Sequence, residues 1–217
     1  MVALYFSYVA KLEKIPESSE IAEVKLFDAL PLNLTYPGLH GPMFHRVQGW
    51  LNLQSKADEL WDVYDENRRL KGYTHRRGDP MPDGDYHLVV FVGIMNSRGE
   101  LLITKRSPNK GYPNMWEMTG GSALAGDDSL MAALREVEEE TGLKLDPASG
   151  KIVEQHSRKD SHCDVWVFRH EFDLKNVVLQ EGETCDARAA TAEEIRALQK
   201  EGQFVPCSYL EYILAEA

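Results

Sequence analysis

Residues 135–140 read Arg-Glu-Val-Glu-Glu-Glu, a run in which one arginine and a set of carboxylates recur at short, regular intervals. Residues three and four apart are neighbours on a helix, so a helix through this run sets Glu136, Glu139 and Glu140 on one face. Crowded ionised carboxylates repel by on the order of several kcal/mol unless a cation lies between them. Oxygen-only ligands select a hard divalent ion, Mg²⁺ or Mn²⁺, and Mg²⁺ is commonly shared between one or two carboxylates, waters and substrate phosphates. The chemistry that follows is phosphoryl transfer to water. Arg135 lies one turn before Glu139 and can hold that carboxylate in a charge-assisted pair.

These groups need an element that fixes where they point. Leu130, Ala133, Leu134 and Val137 form a separate apolar stripe on the same helix, so one side packs and the acidic side stays open. Gly120 and Gly121 open the turn before the helix, and Gly142 stands at the C-cap, a position that favours left-handed backbone. A glutamate-rich helix face alone is ordinarily solvated surface. Here turn, helix and cap are specified together.

The segment from Gly121 to Leu143 resembles the Nudix box, whose pattern is Gly, five residues, Glu, seven residues, then Arg-Glu-apolar-x-Glu-Glu-x-Gly-apolar. Gly121, Arg135, Glu136, Val137, Glu139, Glu140, Gly142 and Leu143 match it, and Asp127 stands where the family usually has Glu. The resemblance implies an α/β fold, the Nudix α/β/α sandwich with mixed sheets. It also implies that Glu136, Glu139 and Glu140 bind Mg²⁺ or Mn²⁺ while water attacks a diphosphate linkage. The substrate would be a small molecule, a nucleoside-diphosphate-type or related organic diphosphate. The position of Asp127 is peripheral in the family, and the shorter carboxylate keeps its charge.

Length and composition, 217 residues and 43% hydrophobic, suit one ordinary domain plus an extra segment rather than two full domains. The net charge of −11 argues against unassisted binding of a nucleic acid polymer or an anionic membrane. No apolar run is long enough to span a bilayer. The opening MVALYFSYVA lacks a basic leader and reads as a strand rather than a signal segment. Cys163, Cys185 and Cys207 are widely spaced without a CxxC pair, from which reduced thiols and a cytoplasmic setting are expected.

Around the box, HLVVFVGIM from His87, a turn at Asn96 to Gly99, and ELLITKR from Glu100 give a hairpin signal. The loop SPNKGYPN follows, then WEMTGG enters the box, and VWVFRHEF after it reads as a strand with alternating faces. TAEEIRALQKEG carries Thr191 and Glu194 at capping-box spacing with Gly202 as a stop, and a further helix is expected from Tyr209 to Ala217. ELWDVYDENRRLKGYTHRRGD reads as an entry strand and turn before the main sheet.

Lys105, Arg106 and Lys110, with the Gly120–Gly121 turn, are candidates for holding substrate phosphate oxygens. Glu183 is the first candidate for a general base, because it matches a position that in some Nudix enzymes supplies a further ligand or base; Glu117 is the second. Tyr112, Trp116 and Trp166 could stack a base, or serve as core at strand ends.

The stretch YHLVVFVGIMNSRGELLITKRSPNKGYPNMW further resembles type I isopentenyl-diphosphate isomerase and its hydrolase-like relatives. In that alignment the isomerase cysteine falls on Gly121 and a metal histidine on Ala123, and neither residue can do that chemistry. His87 matches another isomerase metal histidine, but the acidic pair expected before the later strand is replaced by SHCDVWV. Hydrolysis is therefore the preferred reading. The alternatives are an isomerase-like enzyme and a non-catalytic Nudix module that binds a nucleotide or a partner.

Residues 1–57 resemble the second half of a Nudix domain with no box. Tyr5 to Val9 parallels Val165 to Phe168, EIAEVKLF from Glu20 parallels ETCDARAA from Glu183, and a short helix is expected from Phe44 to Leu53. A half sheet leaves an unpaired edge, so this segment is expected to dock on the complete domain at 58–217 or on another subunit, as in a homodimer.

Overall fold

Apolar strands punctuated by tight turns build a mixed sheet in the computed structural model, which describes residues 59–180 and 182–217. The half-repeat expected over residues 1–57 lies outside the described residues. The hairpin read from the sequence is β3 (His87–Met95) and β4 (Leu101–Arg106), antiparallel, with Ile94 opposite Leu102 and Met95 opposite Leu101. Gly99, at φ 76°, lets its N–H donate to the Asn96 carbonyl at 3.1 Å and close the turn.

Below that turn the two strands part company. The first half of β3 pairs with β6 (Thr119–Ser122), Val90 facing Gly121, whereas β4 pairs with β5 (Trp116–Glu117) and β9 (Thr184–Ala190). On its other edge β3 runs parallel to β8 (Ser161–Arg169), which pairs with β7 (Gly150–Ser157). The main path is β5-β4-β3-β8-β7. Residues 161–168 of β8 are all buried rather than alternating as expected. A central strand with a parallel neighbour is covered on both faces, which removes the polar alternation.

Helices supply both covers, giving the α/β/α sandwich. Helix α1 (Ser129–Thr141) presses Ala132, Ala133 and Val137 onto Leu88, Val90, Ile94 and Phe168. The Asp128 carboxylate accepts the Met131 N–H at 2.8 Å at its start, and Gly142, at φ 70°, closes it in the left-handed conformation that the sequence implied. On the opposite face α2 (Ala192–Lys200) and α3 (Leu210–Leu214) bring Ile195, Leu198, Leu210 and Ile213 onto Leu101, Ile103, Val165 and Val167. The Thr191–Glu194 capping box is formed, and α3 is shorter than expected. Among the described residues no helix is long and apolar enough to cross a membrane.

Before the main sheet, β1 (Leu60–Tyr64) and β2 (Leu70–Arg76) make a small antiparallel sheet. The Asp65 carboxylate shapes its turn by accepting the Asn67 and Arg69 N–H groups, each at 2.9 Å. A bridge between Tyr64 and Tyr86 joins it to the start of β3. Trp61 stacks on His87 with centroids 4.0 Å apart, and burial lowers the His87 pKa to about 4. The imidazole is therefore a neutral, packed ring at pH 7.

Candidate active site

Gly121 stands in β6 directly beneath α1, and a Cβ there would overlap the carboxylate of Glu136. The glycine is a cradle for that side chain. Arg135 locks the arrangement: Nη2 donates to the Ser122 carbonyl at 2.9 Å, Nε lies 3.0 Å from Asp127 Oδ2, and Nη1 lies 2.9 Å from Glu136 Oε1. Its contact with Glu139, 3.3 Å to Oε1, is the longest of the four. Burial works against the Arg135 charge, but Glu136, Asp127 and Glu139 outweigh it and raise its pKa. Asp127 also accepts the Leu124 N–H at 3.2 Å, so the shorter carboxylate still reaches Arg135 and ties the loop to the helix.

The three helix glutamates do not share one environment. Glu136 and Glu140 are buried, at 9% and 5% exposure, while the Glu139 side chain is 41% exposed beside Arg135. The expected convergence of all three thus becomes a buried pair with a third carboxylate at the rim. Glu140 is pushed up to about 8, first by burial and then by the charges of Glu136 and Glu117. Glu183 acts in the same direction, so the helix's own Glu136 is joined by two carboxylates from outside it.

Glu117 is delivered by β5 and Glu183 by the loop before β9. The Ser107 N–H donates to the Glu183 carbonyl at 2.9 Å, tying the 107–114 loop to that segment. Arg106 pairs with Glu117, and Lys110 pairs with Glu183. Burial raises the Glu117 pKa against the opposing pull of Arg106. The sequence offered these residues as separate phosphate ligands and candidate bases; the structure brings them together as ion pairs. No local spacing encodes those pairs, because each spans a loop or two different strands.

Lys105 is placed differently. It shares a face of β4 with Leu101 and Ile103, which belong to the α2–α3 side, and its Nζ lies 5.5 Å from the centroid of the Trp116 ring, which also carries the Arg188 guanidinium at 4.9 Å. It does not join Arg106 and Lys110. Gly120 faces Phe91, where a Cβ would press on the Val90 carbonyl and the Phe91 ring. Of the candidate stacking residues, Trp166 is core and donates to Ser129 Oγ at 2.9 Å, Trp116 is covered by its two cations, and Tyr112 is 55% exposed.

The donor set suits a divalent ion. Glu140 Oε2 and Glu117 Oε1 are buried with no hydrogen-bond partner, an arrangement that costs free energy unless something positive meets them. All the candidate donors are carboxylate oxygens, the ligand type of Mg²⁺ and Mn²⁺. Among the described residues no group of three acidic, histidine or cysteine side chains is already closed around a single point; Arg106 pairs with Glu117, Lys110 with Glu183, and Arg135 with Asp127, Glu136 and Glu139. Admitting an ion would exchange part of those ion pairs for metal ligation.

A mixed sheet between helices, with a buried helix carboxylate seated against a glycine, is the α/β/α frame that the box resemblance implies. Comparison with known proteins gives its family: the NUDIX domain profile matches residues 85–207, and the chain belongs to the Nudix family. It is 40% identical over 157 residues to an uncharacterised Nudix hydrolase, lmo0368, of Listeria monocytogenes, covering 71% of this chain and 93% of that protein. A Nudix hydrolase of Streptomyces coelicolor, SCO1686, is 41% identical over 92 residues, covering 42% of this chain and 50% of that protein. The crystal structure of DR0079 from Deinococcus radiodurans shares the fold with a TM-score of 0.59 at 24% identity, covering 71% of this chain and 97% of that one. The protein is therefore an enzyme of the pyrophosphatase type, in a family that uses divalent metal ions and hydrolyses pyrophosphate-containing small molecules.

Proposed function

We propose that this chain hydrolyses the diphosphate linkage of a nucleoside-diphosphate-type or related organic diphosphate with Mg²⁺ or Mn²⁺. The observation that carries the reading is the pair of buried, unpartnered oxygens, Glu140 Oε2 and Glu117 Oε1, beside Glu136 and Glu183. Glu136 and Glu140 would hold the ion from the helix, with Glu139 as a third carboxylate. A bound divalent ion would offset the carboxylate charge and polarise the phosphoryl oxygens. Arg106 and Lys110 stabilise charge on the phosphates as the P–O bond of the anhydride breaks. Water supplies the new oxygen on phosphorus, and Glu183, with Glu117 as second choice, takes its proton. Arg135 and Gly121 position Glu136 and touch no substrate.

The test is a panel of organic diphosphates with Mg²⁺ or Mn²⁺, run on wild type, Glu139→Gln and Glu140→Gln. Turnover of at least one diphosphate, abolished in Glu140→Gln, supports the reading. Absence of turnover across the panel, with nucleotide binding unchanged in both variants, would sink it. We further read residues 58–217 as the complete catalytic domain and residues 1–57 as a docking or dimerisation segment. Light scattering on the full chain and on residues 58–217 checks the latter: a dimer that becomes a monomer supports it, and an unchanged mass rejects it.

A further inference from the structure

The NUDIX match begins at residue 85, so the β1–β2 hairpin lies before the matched residues, yet it is bonded directly into the box loop. The Ala125 N–H donates to the Leu60 carbonyl at 2.8 Å, and the Gly126 N–H donates to Asp62 Oδ2 at 2.8 Å. Gly126 has φ 92°, a left-handed backbone state that glycine adopts freely but that no packing around its Cα imposes. The next residue, Asp127, carries Arg135, and Arg135 in turn carries Glu136 and Glu139. At its other end the hairpin is anchored to β8: Arg68 pairs with Asp164, and His162 Nε2 lies 2.8 Å from the Asp65 carbonyl. One hairpin thus spans from β8 to the loop that leads into α1.

We propose that Asp62 is a positioning residue of the active site, holding Gly126 so that Asp127 and Arg135 set the orientation of Glu136. This rests on the Nudix reading of Glu136 as a metal ligand. The requirement is for an acceptor at Gly126 N–H, which an amide oxygen also supplies. Asp62→Asn therefore keeps the function, and Asp62→Ala loses it.

The experiment measures Mn²⁺ binding to the full chain by electron paramagnetic resonance of the free ion, which needs no substrate. Asp62→Ala is expected to weaken binding about fivefold, the size of one net hydrogen bond, with Asp62→Asn within about twofold of wild type. Amide exchange at Gly126 should quicken in the Ala variant and not in the Asn variant. Wild-type affinity in Asp62→Ala, or equal loss in both variants, overturns the proposal. Failure of wild type to bind Mn²⁺ at all would instead overturn the metal-dependent reading beneath it; amide exchange at Gly126 then still decides whether Asp62 holds the loop.

Discussion

The box helix and the strands facing it bring carboxylates to the same place by different means. On α1, spacing and the apolar stripe set the positions, and depth then sorts them: Glu136 and Glu140 are buried and Glu139 is exposed. Off the helix, Glu117 and Glu183 arrive from β5 and a loop, each carried in with a basic partner, Arg106 or Lys110. The helix side is held by one arginine that serves several acceptors, whereas the strand side is held by separate pairs. Glu136, Glu117 and Glu183 are each carried with a basic partner, whereas Glu140 Oε2 and Glu117 Oε1 are buried with no hydrogen-bond partner.

That difference can be broken at graded cost. Glu140→Gln should lower kcat most, by on the order of 10²- to 10³-fold, since a preorganised charged group in a buried site is removed. Gly121→Ala comes next, because the added methyl displaces the Glu136 carboxylate; a loss of stability of about 1–3 kcal/mol, read by urea unfolding, should accompany reduced turnover. Glu139→Gln should cost no more than about fivefold, the scale of an exposed ion pair. Lys105→Ala should leave kcat/KM within about twofold, because Lys105 sits on Trp116 away from the carboxylates.

Acidity sharpens the same contrast. Glu140 has its pKa raised from 4.5 to about 8 by burial and by neighbouring carboxylates, so it is mostly protonated in the metal-free protein at neutral pH. Its contribution to stability is fully present below the unfolded pKa and is lost as pH rises through about 8. Metal-free unfolding midpoints should fall over that window, with a slope of no more than about 1.36 kcal/mol per pH unit from this group, and Glu140→Gln should flatten the slope.

How much of this was legible in the sequence follows from the range of each contact. The cap at Gly142, the capping box at Thr191 and the β3–β4 turn are local patterns, and they form where the spacing places them. Helical periodicity names a face but not a depth, so it could not separate Glu139 from Glu140. Glu117 and Glu183 were named singly, but their pairing with Arg106 and Lys110 depends on how β4, β5 and the 107–114 loop are brought together. Lys105 and Arg106 are adjacent in sequence and fall on opposite faces of β4, an outcome of strand alternation that a cluster of basic residues hides. Asp62 carried no sequence signal, because its partner is a backbone N–H in a distant loop.

The most direct measurement is Mn²⁺ affinity of the full chain, by electron paramagnetic resonance, in Glu140→Gln and Glu139→Gln side by side. If Glu140 is the buried ligand and Glu139 the rim, Glu140→Gln weakens binding by about 100-fold and Glu139→Gln by less than about tenfold. Equal losses in the two variants, or a greater loss in Glu139→Gln, would contradict the division of the helix into a buried pair and an exposed rim.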